Sequence, residues 1–326
     1  MDTSLFEKLN QQGIISNESL QKVQQRQSNP LISVYWELKT LLYLGVLLLS
    51  TGLGIIVYKN IDTIGHQAIL AAIAIICGGC FYYCFKNKLP FASNRIEAPN
   101  ASFDYILLLG CLTFITFIGY LQFQYQVFGL KYGLATFVPM LVLFFCAYYF
   151  DHLGILSLAI TNLAAWAGIA VTPVKILSEN NFNDDTIIIT AMLLGVLLVA
   201  AALASVKKKF KAHFEFTYIN FGMNLLFISC LAAMFYFEGM YLLWMLVLTG
   251  IAYFFYLHAC KQKSFYFILV LTLYMYIGLA YTIIRLLFYN SGLEIFGVYI
   301  AFMYFIASAV GLILFLIKMN RKIKAL

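Results

Sequence analysis

Three cysteines pose the first chemical question. Cys77-Gly78-Gly79-Cys80, with Cys84 after it, spaces thiols at i, i+3 and i+7, which is one face of a helix. Such a face would serve a redox pair or a soft-metal site. The same spacing suits small, polarizable residues that let helices approach closely, with Gly78 and Gly79 helping. The packing reading is preferred, so no metal and no cofactor is expected at Cys77, Cys80 and Cys84.

The four histidines are His66, His152, His213 and His258. The last three fall at one membrane face, with Asp151 beside His152, and would need to converge with Cys260 to hold a metal. No HxxxH-like ligand spacing supports that, and histidines at a membrane interface are ordinary.

Asn162 falls at mid-membrane in one apolar run and Asn224 in another, where Thr217, Asn220 and Asn224 share a face. These four residues would line a substrate pathway in a carrier. They would equally act as interhelical hydrogen-bond glue, worth roughly 0.6–2 kcal/mol each. No Asp, Glu, Lys or Arg lies near the middle of any apolar run. Ion-coupled carriers commonly place an ionisable group there, so a proton-driven antiporter is disfavoured. HExxH, GxSxG and P-loop patterns do not occur, and nothing points to an enzyme.

The elements that must carry these side chains follow from composition. The 326 residues are 63% hydrophobic and 11% charged, with a mean hydropathy of +0.88. A water-soluble domain carries about a quarter charged residues, so most of this surface must face lipid. The net charge of +7 sits in clusters between apolar runs, which is a topology signal and excludes nucleic acid as the expected partner. Seven cysteines, an odd number, argue against a disulfide framework.

Apolar runs of membrane-crossing length fall at 39–58, 66–85, 103–122, 132–150, 153–171, 186–206, 214–235, 240–258, 264–284 and 294–318. The fold class is therefore all-α, a polytopic integral membrane protein with about ten transmembrane helices. The fourth and fifth runs are separated only by Asp151-His152, and would also read as one broken unit. Seventeen of the 21 Lys and Arg fall on the N-terminal side, and Lys59, Lys131, Lys175 and Arg285 fall opposite. That bias puts both termini in the cytoplasm.

Residues 1–30 read as a cytosolic helical hairpin ahead of a transmembrane domain at 31–326. Ser4 and Glu7 fit a capping box, Gly13 a helix terminator, and Ser16 or Asn17 the cap of a second helix carrying Leu20 and Val23. Its few apolar residues cannot form a core alone, so it would rest on the membrane surface, on the protein itself, or on a protein partner.

Residues 5–60 also carry a resemblance. Leu5 and Leu9 precede Gly13-Ile14-Ile15-Ser16 with Glu18, then Leu44-Gly45-Val46-Leu47-Leu48 with Gly52, closing on Asn60. This resembles a bacterial family of predicted membrane proteins known only as a domain of unknown function. Ile61 stands where the family pattern has Trp. The resemblance implies a multi-pass protein of the bacterial inner membrane and brings no catalytic residues.

Two functions follow as expectations. One is a carrier or flippase-like transporter that uses no midplane carboxylate. The other is a non-catalytic membrane scaffold or assembly subunit whose hairpin docks a partner. A membrane-embedded enzyme has the least support.

Overall fold

A computed structural model describes residues 10, 12, 14–21, 35–59, 65–96, 99–129, 131–171, 184–290 and 294–325. Ser4, Glu7, Gly13 and Val23 of the expected hairpin, and Lys175, lie outside the described residues.

The long helices are α1 (Tyr35–Lys59), α2 (His66–Lys86), α3 (Ala101–Tyr125), α4 (Tyr132–Phe150) and α5 (Leu153–Val171). They continue with α6 (Asp185–Lys207), α7 (Glu215–Tyr236), α8 (Tyr241–Lys261), α9 (Phe265–Asn290) and α10 (Glu294–Ala325). Each contains a stretch long and apolar enough to cross a bilayer, ten in all among the described residues, and no strand occurs among them. The polytopic all-α reading holds, and eight of the ten spans begin and end within about four residues of the apolar runs. The exceptions are α9, which runs on past 284 to Asn290, and α10, which runs on past Lys318 to Ala325. Met319 and Ile323, one turn apart, are buried there, and Lys322 donates to the Tyr256 hydroxyl at 3.2 Å. No Gly or Pro breaks the chain after 318, so the helix continues as a packed, partly wetted extension.

The chain divides into two compact units, Met1–Lys59 and Asn60–Leu326. In the first, Ser16 Oγ accepts from Ser19 N at 3.2 Å and starts the helical turn at 17–21, while Asn10 Nδ2 donates to Ile15 O at 3.0 Å. α1 supplies the membrane span of this unit.

In the second unit, consecutive helices pack as hairpins: α2 with α3, α4 with α5, α6 with α7, and α8 with α9. The α4–α5 connection shows why two residues suffice. Asp151 takes the left-handed conformation (φ 60°, ψ 42°) and ends α4, a conformation Asp tolerates better than most side chains. His152 Nδ1 then accepts from Ile155 N at 3.1 Å and starts α5. Gly154 leaves the space the imidazole needs, since a Cβ there would stand 2.9 Å from its Cε1. The pair is thus two closely joined helices and not one broken unit.

The α6–α7 contact brings two backbones close together. A Cβ on Gly222 would meet Gly195 O at 3.0 Å and Val199 N at 3.2 Å, and one on Gly195 would meet Leu226 Cγ at 2.8 Å. Small residues let the two backbones touch where lipid gives helices no hydrophobic reason to associate. The core then runs through α7, where Ile219, Met223, Phe227 and Cys230 are fully buried.

Candidate functional site

Two of the four polar residues singled out in the sequence meet a partner helix. Asn220 and Asn224 lie one turn apart on α7, and Asn224 Nδ2 donates to Asn220 O at 2.8 Å and to its Oδ1 at 3.1 Å. From α9, the Tyr266 hydroxyl donates to Asn220 Oδ1 and the Tyr274 hydroxyl to Asn224 Oδ1, each at 2.8 Å. The Tyr274 ring also stacks on Phe227, with centroids 5.1 Å apart and planes 9° apart. Two amides and two phenols thus form a ladder between α7 and α9, each phenol aimed at one amide oxygen. Thr217 continues the same face one turn earlier and is buried. Asn162 does not join the ladder, because its amide donates back to Leu158 O of its own helix at 3.4 Å.

The thiols collect on α2, α3 and α4. Cys77 and Cys84 are buried, Cys80 is partly so, and buried Cys111 and Cys146 stand beside them. Cys77 Sγ donates to Gly110 O at 3.6 Å. A Cβ on Gly110 would lie 3.0 Å from Cys80 Cβ, so the small cysteine sits where two helices nearly touch. Among the described residues, no group of three or more His, Cys, Asp or Glu side chains is arranged to hold a metal ion. The three histidines of one face separate onto different carboxylates: His152 toward Asp104 at 3.8 Å, His213 onto Asp151 at 2.6 Å and His258 toward Glu215 at 3.8 Å. They do not converge with Cys260.

A buried charge cluster at the lysine-rich edge of the second unit was not anticipated. Asp151 Oδ1 stands 3.0 Å from Lys211 Nζ and 2.6 Å from His213 Nε2, and its Oδ2 accepts from Ile96 N at 2.6 Å. The Asp151 and Lys211 side chains are 1% and 0% exposed, so this is a desolvated pair. The Lys211 ammonium is at ion-pair distance but aligns no hydrogen bond, and its other neighbour is the Phe91 ring at 5.0 Å. Lys211 N donates to Ser93 O at 2.9 Å, and Ser205 Oγ donates to Phe210 O at 2.5 Å. The cluster clamps the 87–96 loop, the α4–α5 turn and the α6–α7 turn onto one another. The sequence offered two hints: a charged residue in a connection with no loop, and a lysine separated by Phe210 from the run at 207–209.

The helices and their polar contacts describe a multi-pass membrane protein, and a family comparison finds a similarity over the first part of the chain. Residues 7–156 match the family described as Predicted membrane protein (DUF2157). No curated protein and no solved structure gives a significant match. The match extends the resemblance carried by residues 5–60 through α4 and into α5. It takes in the clustered thiols and Asp151, and ends before Lys211, His213 and the Asn–Tyr ladder.

Proposed function

We propose that this chain is a non-catalytic subunit or scaffold of a bacterial cytoplasmic membrane, with both termini cytoplasmic and residues 1–30 as a docking element for a protein partner. One observation carries the reading. Asn220 and Asn224, the best pathway residues in the sequence, have their oxygens engaged by Tyr266 and Tyr274 and act as joints between helices. A carrier would instead need these amides and Asn162 to face a common water path. The seventeen-to-four split of Lys and Arg supports the orientation. The Ser16-capped turn supports an ordered element ahead of α1, and its few apolar residues need an outside surface.

The test uses single cysteines at positions 162, 220 and 224 in a background with the seven native cysteines replaced. A membrane-impermeant maleimide applied to intact membranes should leave all three unlabelled, with labelling only after denaturation. Labelling of position 162 together with 224 in the native membrane would overturn the reading in favour of a carrier.

A further inference from the structure

A groove of about 480 Å³ lies between α2, α3 and α4. Its walls include Cys77, Gly78, Phe81 and Phe85 of α2, Phe117 of α3 and Phe145 of α4. Phe85 and Phe145 are about half exposed, so the groove opens on the outer surface of these helices, where a spanning protein meets lipid. It follows α2 from Ala74 to Phe85, about 16 Å at the helical rise per residue.

One end of this apolar slot reaches the lysine-rich edge. There Phe145 stacks on Tyr149 at 5.1 Å, and Phe85 lies 5.8 Å from the same ring. Lys88 Nζ donates to the Tyr149 hydroxyl and sits 4.4 Å from the Tyr149 centroid and 6.0 Å from that of Phe85. Lys86 directly follows Phe85, is exposed, and lies 6.0 Å from the Tyr82 ring. Every contact the two ammonium groups make is aromatic or phenolic, and no carboxylate pairs with either among the described residues. A chain-shaped apolar trough therefore ends beneath two cations that no carboxylate among the described residues neutralises.

We propose that this groove holds one acyl chain of an anionic membrane phospholipid, whose headgroup phosphate is bound by Lys86 and Lys88. A recess walled by aromatic rings touches a chain on several sides, where a flat helix face touches it on one. The lysine stems run along apolar surface and carry their charges to headgroup level. Basic pockets between helices are the usual seats of anionic headgroups. This inference goes beyond the proposed scaffold role and is independent of it, because it needs neither the orientation nor a partner.

The full-length protein is reconstituted in nanodiscs of phosphatidylcholine doped with a trace of phosphatidylglycerol carrying a photoactivatable acyl chain. A parallel set carries the same label on phosphatidylcholine. After irradiation, adducts are mapped by mass spectrometry. The phosphatidylglycerol probe should mark 74–85 and 142–146 several-fold more than the phosphatidylcholine probe. Neutralising Lys86→Gln and Lys88→Gln should cut that labelling by roughly five-fold per lysine and leave adducts elsewhere unchanged. Lys88→Arg should retain it. Gly78→Leu, at a position where an added side chain meets open space, should fill the groove and suppress labelling by both probes. Equal labelling by the two headgroups, or labelling that survives both Gly78→Leu and the double glutamine variant, would reduce the groove to ordinary lipid contact and overturn the proposal.

Discussion

Asp151 and Lys211 meet at 3.0 Å with both side chains out of solvent, although sixty residues separate them. Taking two charges out of water is expensive, and removing one partner strands the other. Asp151→Asn or Lys211→Met alone should therefore lower stability by about 3–5 kcal/mol in thermal or detergent unfolding. The double variant should recover a large part of that loss. Single losses below about 1 kcal/mol would show that the pair behaves like an exposed one.

Gly222 stands where α6 and α7 touch. Gly222→Ala should cost about 1–3 kcal/mol, because its Cβ would press on the α6 backbone, which cannot swing aside as a side chain can. Gly250→Ala on α8, where an added Cβ meets nothing within 4 Å, should be neutral or stabilising by up to about 1 kcal/mol. Similar unfolding midpoints for the two variants would refute the close approach.

Cys77, Cys80 and Cys84 are read as packing residues. Replacing all three by Ala should change stability by less than about 1.5 kcal/mol per site and leave metal content unchanged. Bound zinc, copper or iron in the native protein that disappears in the triple variant would overturn this.

Reporter fusions test the orientation. Fusions at residues 95, 210 and 326 should report the cytoplasm, and a fusion at 178 the periplasm. A periplasmic signal from the C-terminal fusion would contradict the proposed topology.

The spans were legible in the sequence because lipid demands apolar runs of fixed length, and Asp151-His152 and the lysine clusters punctuate them clearly. The end of α10 was not, since its basic residues after 318 mark where the bilayer ends and not where the helix does. The face shared by Asn220 and Asn224 was legible from helical spacing alone. Their partners were not, because Tyr266 and Tyr274 are two among 23 tyrosines and nothing local marks which of them face α7. The Asp151–Lys211 clamp was hidden for a similar reason. It depends on how the irregular 87–96 loop and the left-handed backbone at Lys211 close over the carboxylate, and pattern reading does not reach such tertiary detail.

The central claim is that the intramembrane amides hold helices together. A double-mutant cycle of Asn224→Ala with Tyr274→Phe, read by unfolding in detergent or bicelles, tests it most directly. The account predicts a coupling energy of about 0.6–1.7 kcal/mol, the range for hydrogen bonds between membrane helices. A coupling indistinguishable from zero would contradict it.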